Sequence, residues 1–129
     1  MGYCIEQTEA EFAIPSENFD RALAAVKGMM DGYPIPYYSW VVNEEVIHAK
    51  SLVEALWAWR WEAVVKEGDI HFIVFCGEKL GADDHLFRVL APFVKSGSYI
   101  SFRGEDGALW QYYFENGTMR ERHGRVIFE

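Results

Sequence analysis

From Gly97 to the Arg-rich tail ending at Glu129, apolar and polar residues alternate in three β-rich runs. Two turn signals, Glu105-Asp106-Gly107 and Glu115-Asn116-Gly117, separate them. A period of two broken by glycine-bearing turns predicts an antiparallel meander. Upstream, Tyr3 to Ile14 reads as extended, with Phe12 and Ile14 on one face. The period then lengthens: Phe19, Ala22, Leu23, Val26 and Met30 recur at helical spacing, behind Ser16 as an expected N-cap with Glu17 and Asp20 in the first turn. Gly28 weakens that helix and Asp31-Gly32 stops it.

Tyr33-Pro34-Ile35-Pro36 excludes regular helix, because two prolines remove donors and hold their predecessors extended; Tyr37 to Val42 then reads as a strand. Ser51-Leu-Val-Glu54 has the form of a capping box, and Leu52, Ala55, Leu56 and Trp59 give the apolar stripe of a helix running to Arg60. Trp61–Val65 and Ile70–Cys76 flank Lys66-Glu67-Gly68-Asp69 and predict a hairpin. Alternation places Ile70, Phe72, Val74 and Cys76 on one of its faces, with Ile73 and Phe75 on the other. A third helix starts at Asp83 and Asp84, carries Leu86, Val89, Leu90 and Phe93, and ends or kinks at Pro92.

These elements define an α+β protein: an antiparallel or mixed sheet built from hairpins, with about three helices packed mainly on one face. At 129 residues, 50% of them hydrophobic, the chain fits a single domain spanning residues 1–129 with a dense core. Trp110, Phe114, Ile100 and Phe102 are the expected sheet contribution to that core.

Charge narrows the choice of partners. The net charge is −8, and it is uneven: residues 1–54 hold nine Asp/Glu against Arg21, Lys27 and Lys50, a net of about −6. An acidic chain repels nucleic acid and anionic membrane and suits a partner with a basic surface. Neither a membrane span nor a leader is expected, and Cys4 and Cys76 form no zinc motif, so a cytoplasmic protein with free thiols is the expectation.

Motifs for catalysis are lacking. His48, His71, His85 and His123 show no metal-ligand spacing, Gly77-Glu78-Lys79-Leu80-Gly81 lacks the ending of a phosphate loop, and Glu105 with Asp106 belongs to a turn. No catalytic residue, metal or cofactor is therefore expected; an enzyme would need scattered groups such as His71, Glu78, Asp84 and His123 to converge. Two aromatic groupings offer binding chemistry instead. Trp57, Trp59 and Trp61 cannot all be buried on one helical face; either all three serve the core from different elements, or Trp57 or Trp61 is left to cover a groove or a partner. Trp110, Tyr112 and Phe114 share one face near Arg103, Arg120, Arg122, His123 and Arg125; aromatic faces beside guanidinium groups can stack a base and neutralise phosphates, and the same pattern also fits a half-buried sheet with a solvated charged face. Candidate binding residues are thus Trp57, Trp61, Arg103, Tyr112, Arg120, Arg122 and His123.

Gly77-Glu78-Lys79-Leu80-Gly81, Ala91-Pro92-Phe93-Val94, Gly97-Ser98-Tyr99-Ile100, Gly104-Glu105-Asp106-Gly107, Trp110, Phe114, Gly117 and Ile127-Phe128-Glu129 resemble an uncharacterised family of small α+β proteins from phages and mobile elements of gut and related bacteria. The resemblance covers about half the chain and implies fold and genomic setting, with no catalytic residues to carry over. The expected function is non-enzymatic binding, by protein–protein contact with a host protein that has a basic surface, a host defence factor being the target class in view. The alternatives are sequestration of a nucleotide signal at an aromatic and arginine site, and a structural or assembly role. A homo-oligomer is compatible with each.

Overall fold

The computed structural model describes residues 4–31 and 41–125. Its strands are β1 (Ile5–Glu11), β2 (Trp61–Lys66), β3 (Asp69–Phe75), β4 (Tyr99–Gly104), β5 (Leu109–Glu115) and β6 (Thr118–Gly124). Its helices are α1 (Phe19–Asp31), α2 (Asn43–Ile47), α3 (Leu52–Ala58) and α4 (Asp83–Leu90). The meander forms as the sequence predicts, and β1 adds antiparallel to β4, so the main sheet has the order β1-β4-β5-β6. Asn116 and Gly117 close the β5–β6 hairpin at φ of 51° and 78°, the left-handed pair that a two-residue turn needs.

A second sheet contains β2 and β3, joined antiparallel through Glu67 and Gly68. Its β3 edge runs along β1, yet the main-chain ladder between them is nearly absent. Ile14 and Ile70 exchange amide–carbonyl bonds at 3.0 and 3.1 Å, and the Ile5 amide donates to the Glu78 carbonyl at 2.9 Å. Between these points a side chain replaces the strand: Gln7 Nε2 donates to the Ile73 carbonyl and Gln7 Oε1 accepts from the Phe75 amide, both at 2.8 Å. The two sheets therefore meet edge to edge along a seam held at its ends by main-chain bonds and between them by one glutamine.

Two β-bulges decide which residues face the core. In β1 the register steps from Gln7–Phe102 to Glu9–Ser101, and the extra residue, Thr8, inverts the alternation. Glu6, Glu9 and Glu11 consequently all turn outward, while Ala10, Phe12 and Ile14 are buried. In β3 the register steps from Val64–Phe72 to Val65–Ile70, leaving His71 unmatched. Ile70 and Ile73 are fully buried, but Phe72 is 37% exposed, which corrects the expectation that Ile70 and Phe72 share a face.

The core lies between the inward sheet face and the helices. Val26 and Met30 of α1, Leu52 and Leu56 of α3, and Leu86, Phe87 and Leu90 of α4 are buried there. Phe87 is its aromatic centre, with ring centroids 4.8 Å from Trp61, 5.8 Å from Phe12 and Tyr112, and 6.0 Å from Phe114. Ile100, Phe102 and Phe114 are buried as expected, whereas Trp110 is half-buried and stacks on Phe102 at 5.5 Å.

Local signals hold in part. Ser51 Oγ accepts from the Glu54 amide at 3.2 Å, so Ser51 caps α3 as expected, while Glu54 Oε2 reaches one residue further back than a capping box requires and accepts from the Lys50 amide at 2.7 Å. Ser16 is not a side-chain cap; a single 3₁₀ turn, Ser16–Asn18, precedes α1, and the Ser16 amide donates to Asp69 Oδ1 at 2.7 Å. The expected strand Tyr37–Val42 falls largely outside the described residues, and Val42 leads instead into the unexpected α2. α3 stops at Ala58, and Arg60 takes φ of 72°.

That left-handed turn serves a buried charge. Asp83, fully buried at the start of α4, accepts from Trp61 Nε1 and the Gly81 amide at 2.8 Å each and from Arg60 Nη2 at 3.2 Å. Burial nonetheless pushes its carboxyl above the usual carboxylate range, because lost hydration outweighs these donors. Arg60 also donates to the Lys79 carbonyl at 2.8 Å and lies over the Phe75 ring. A side chain at Gly77 would place its Cβ 2.8 Å from both Arg60 Nη1 and Phe75, which is why glycine stands there.

Candidate functional site

The outward face of the main sheet is ordered in rows that run from acid to base. One row reads Glu9, Ser101, Gln111, Arg122 across the four strands; the next reads Glu11, Tyr99, Tyr113, Arg120. Most of these groups bind each other. Arg103 pairs with Glu6, Tyr99 donates to Glu9, Gln111 Nε2 donates to Ser101 Oγ at 2.9 Å, and Arg120 pairs with Glu115 at 3.3 Å. Arg122 Nε donates to Gln111 Oε1 at 3.0 Å while its guanidinium lies 3.9 Å from the centre of the Tyr113 ring. The bond to Glu9 raises the Tyr99 phenol to about 12.

The sequence candidates divide between the two faces of this sheet. Arg103, Arg120 and Arg122 lie outward, whereas Tyr112 is buried against Phe87 and Phe102. Burial holds the Tyr112 phenol well above its ordinary range. The period of two explains the split: Arg120 is opposite Tyr113 and Arg122 opposite Gln111, so the arginines share the face of odd-numbered β5 residues. Tyr113, not Tyr112, is the aromatic beneath the guanidiniums. His123 is opposite Trp110 and exposed near the end of β6. Trp61 is fully buried with its indole N–H on Asp83, so it offers no surface to a partner. Trp57, on the outer side of α3, is 59% exposed.

His71, Glu78, Asp84 and His123 stand on β3, the loop after it, α4 and β6 respectively. Among the described residues, no group of three or more His, Cys, Asp and Glu is placed to hold a metal ion. No helix among the described residues is long and apolar enough to cross a membrane.

The open seam supplies a site that sequence reasoning missed. Two hollows of about 410 and 540 Å³ flank Phe72 between β1 and β3. Glu6 and Glu9 line the first, opposite Val74 and Phe72; Glu11 lines the second, with His71 and Lys95. The groove thus has an acidic bank, built by the bulge at Thr8, and an apolar one, built by the bulge at His71. Glu6, Glu9 and Glu11 are visible in sequence as a cluster, but only the bulge gathers them on one face. No family model, curated protein or solved structure matches the chain.

Proposed function

We propose that the chain is a non-enzymatic binding protein that holds a basic, partly apolar segment of another protein in the β1–β3 groove. The observation that carries this reading is the exposed Phe72 between two hollows, facing the Glu6, Glu9 and Glu11 bank. An aromatic anchor with a like-charged rim suits a partner of opposite charge, which the acidic N-terminal half also favours. The sequence resemblance to phage and mobile-element proteins supports, by analogy, a host protein as the partner and a host defence factor as the target class. Affinity capture from lysate of a bacterial host, run at low and high salt, tests this. A protein held by the wild type, released by salt and lost with both Phe72→Ser and Glu9→Lys/Glu11→Lys supports the reading. Capture unchanged in both variants contradicts it.

A second reading, sequestration of a nucleotide, is favoured by the Arg122–Tyr113 stack beside a hollow of about 420 Å³ that Ser101, Gln111 and Arg122 help to line. Thermal shift with cyclic and linear nucleotides separates the two. A rise in melting temperature abolished by Arg122→Ala selects the nucleotide, and flat melting curves at saturating concentrations discard it.

A further inference from the structure

The hairpin sheet ends on β2, which among the described residues pairs only with β3. Existing bonds show which main-chain groups that edge offers. The Cys76 amide donates to the Arg60 carbonyl at 2.8 Å, so residue 60 faces β3, and by alternation residues 62 and 64 do too. Ile73 and Phe75 turn away from β2 to bond Gln7, and Ile70 turns away to bond Ile14. Their partners Ala63, Trp61 and Val65 therefore present N–H and C=O to the free edge. That edge carries no proline, and its side chains include Val64 and Val65, 42% and 48% exposed. Such an edge invites another strand.

We propose that this edge joins two copies of the chain, β2 pairing antiparallel with β2 of the second copy about a two-fold axis at Val64. In this register Ala63 and Val65 exchange main-chain bonds with the partner's Val65 and Ala63, the two Val64 side chains meet, and Glu62 faces the partner's Lys66 twice. Centring at Ala63 or Val65 also satisfies the main chain, but the first sets Glu62 against the partner's Val64 and the second sets Val64 against the partner's Lys66. Only the Val64 centre forms both ion pairs, and such isologous self-complementarity is what a two-fold interface requires.

Both faces of the new pair are filled. Outward, Phe72 and Val64 continue into the partner's Val64 and Phe72 as one apolar row, because Val64 is opposite Phe72 within each hairpin. On the helix side, Val65 comes opposite the partner's Ala63, beside a hollow of about 280 Å³ that Val53, Trp57, Glu62 and Ala63 line in each copy. Trp57, 59% exposed, thereby gains cover. The opposite edge, β6, shows the contrast: paired with itself about Glu121, it would set Arg120 against Arg122. This contact is made by the β2 edge, across the hairpin from the β1–β3 groove, and shares with the groove only the Phe72 side chain.

Sedimentation equilibrium of the full chain over a dilution series tests the proposal, with thermal melts confirming that each variant folds. The wild type associates reversibly to a dimer. Glu62→Lys and Lys66→Glu each turn both ion pairs into like-charge pairs and weaken association by about tenfold, since each cross-strand pair changes from attraction to repulsion. The combined Glu62→Lys/Lys66→Glu variant restores it. A wild type that stays monomeric throughout overturns the proposal, and so does a dimer indifferent to the single reversals or a combined variant no better than either.

Discussion

The two sheets of this protein treat their outward faces in opposite ways. On the four-stranded sheet nearly every outward side chain has a neighbour to bind: Arg103 with Glu6, Tyr99 with Glu9, Arg122 with Gln111. On the β2–β3 hairpin the outward face is Val64, Phe72 and Val74 beside Glu62, and among the described residues the edge strand β2 pairs only with β3. Both sheets send large aromatics inward, so the difference is not one of folding power. Stability is shared between the inward faces, whereas exposed apolar side chains on the outward faces are concentrated on the hairpin.

The strongest way to break this comparison is to attack the shared core. Phe114→Ala removes a fully buried ring packed against Phe12 and Phe87, and it should cost about 3–5 kcal/mol in denaturant unfolding, much of the stability of a small domain. Trp110→Ala, at a half-buried position, should cost less than Phe114→Ala in the same assay. Trp61→Phe keeps most of the buried ring but removes the indole donor to Asp83; leaving that carboxylate short of a partner should cost about 1–3 kcal/mol.

Asp83→Asn sharpens the comparison through pH. Burial raises the folded-state pKa of Asp83 above the ordinary 3.8, so the folded protein holds this proton more tightly than the unfolded chain does. Its contribution to folding is fully present below the unfolded value and is lost as pH rises through the folded-state pKa. The stability of wild type relative to Asp83→Asn should therefore fall as pH increases from about 4 toward neutrality. A difference that is flat or rises across that range contradicts the assignment. Smallest of all, Arg122→Ala on the polar lattice should move stability by no more than about 0.5 kcal/mol.

Much of this architecture was legible in the sequence because its signals are local. Asn116-Gly117 specifies its turn, Ser51 with Glu54 caps its helix, and the α1 and α4 stripes mark the helix faces. The candidate site was harder to read because it depends on parity. One extra residue in β1 and one in β3 invert the alternation, gathering three glutamates on one face and turning Phe72 out of the core. A bulge carries no strong local signature in either strand. The arginine and aromatic pattern fits a half-buried sheet with a charged outer face, but Tyr112 and Tyr113 are adjacent in sequence, and only cross-strand pairing places Tyr113 with the arginines. Trp61 takes the core reading, and what selects it over a partner surface, the bond of its indole to Asp83, lies twenty-two residues away in sequence.

The most direct measurement pairs stability with capture in one variant, Phe72→Ser. The hairpin's outward face is assigned to recognition rather than to holding the fold, so this change should lower stability by less than about 1 kcal/mol while abolishing salt-sensitive capture of the partner. A loss of stability as large as that of Phe114→Ala, with capture of the same protein retained, would place Phe72 in the fold and contradict the account.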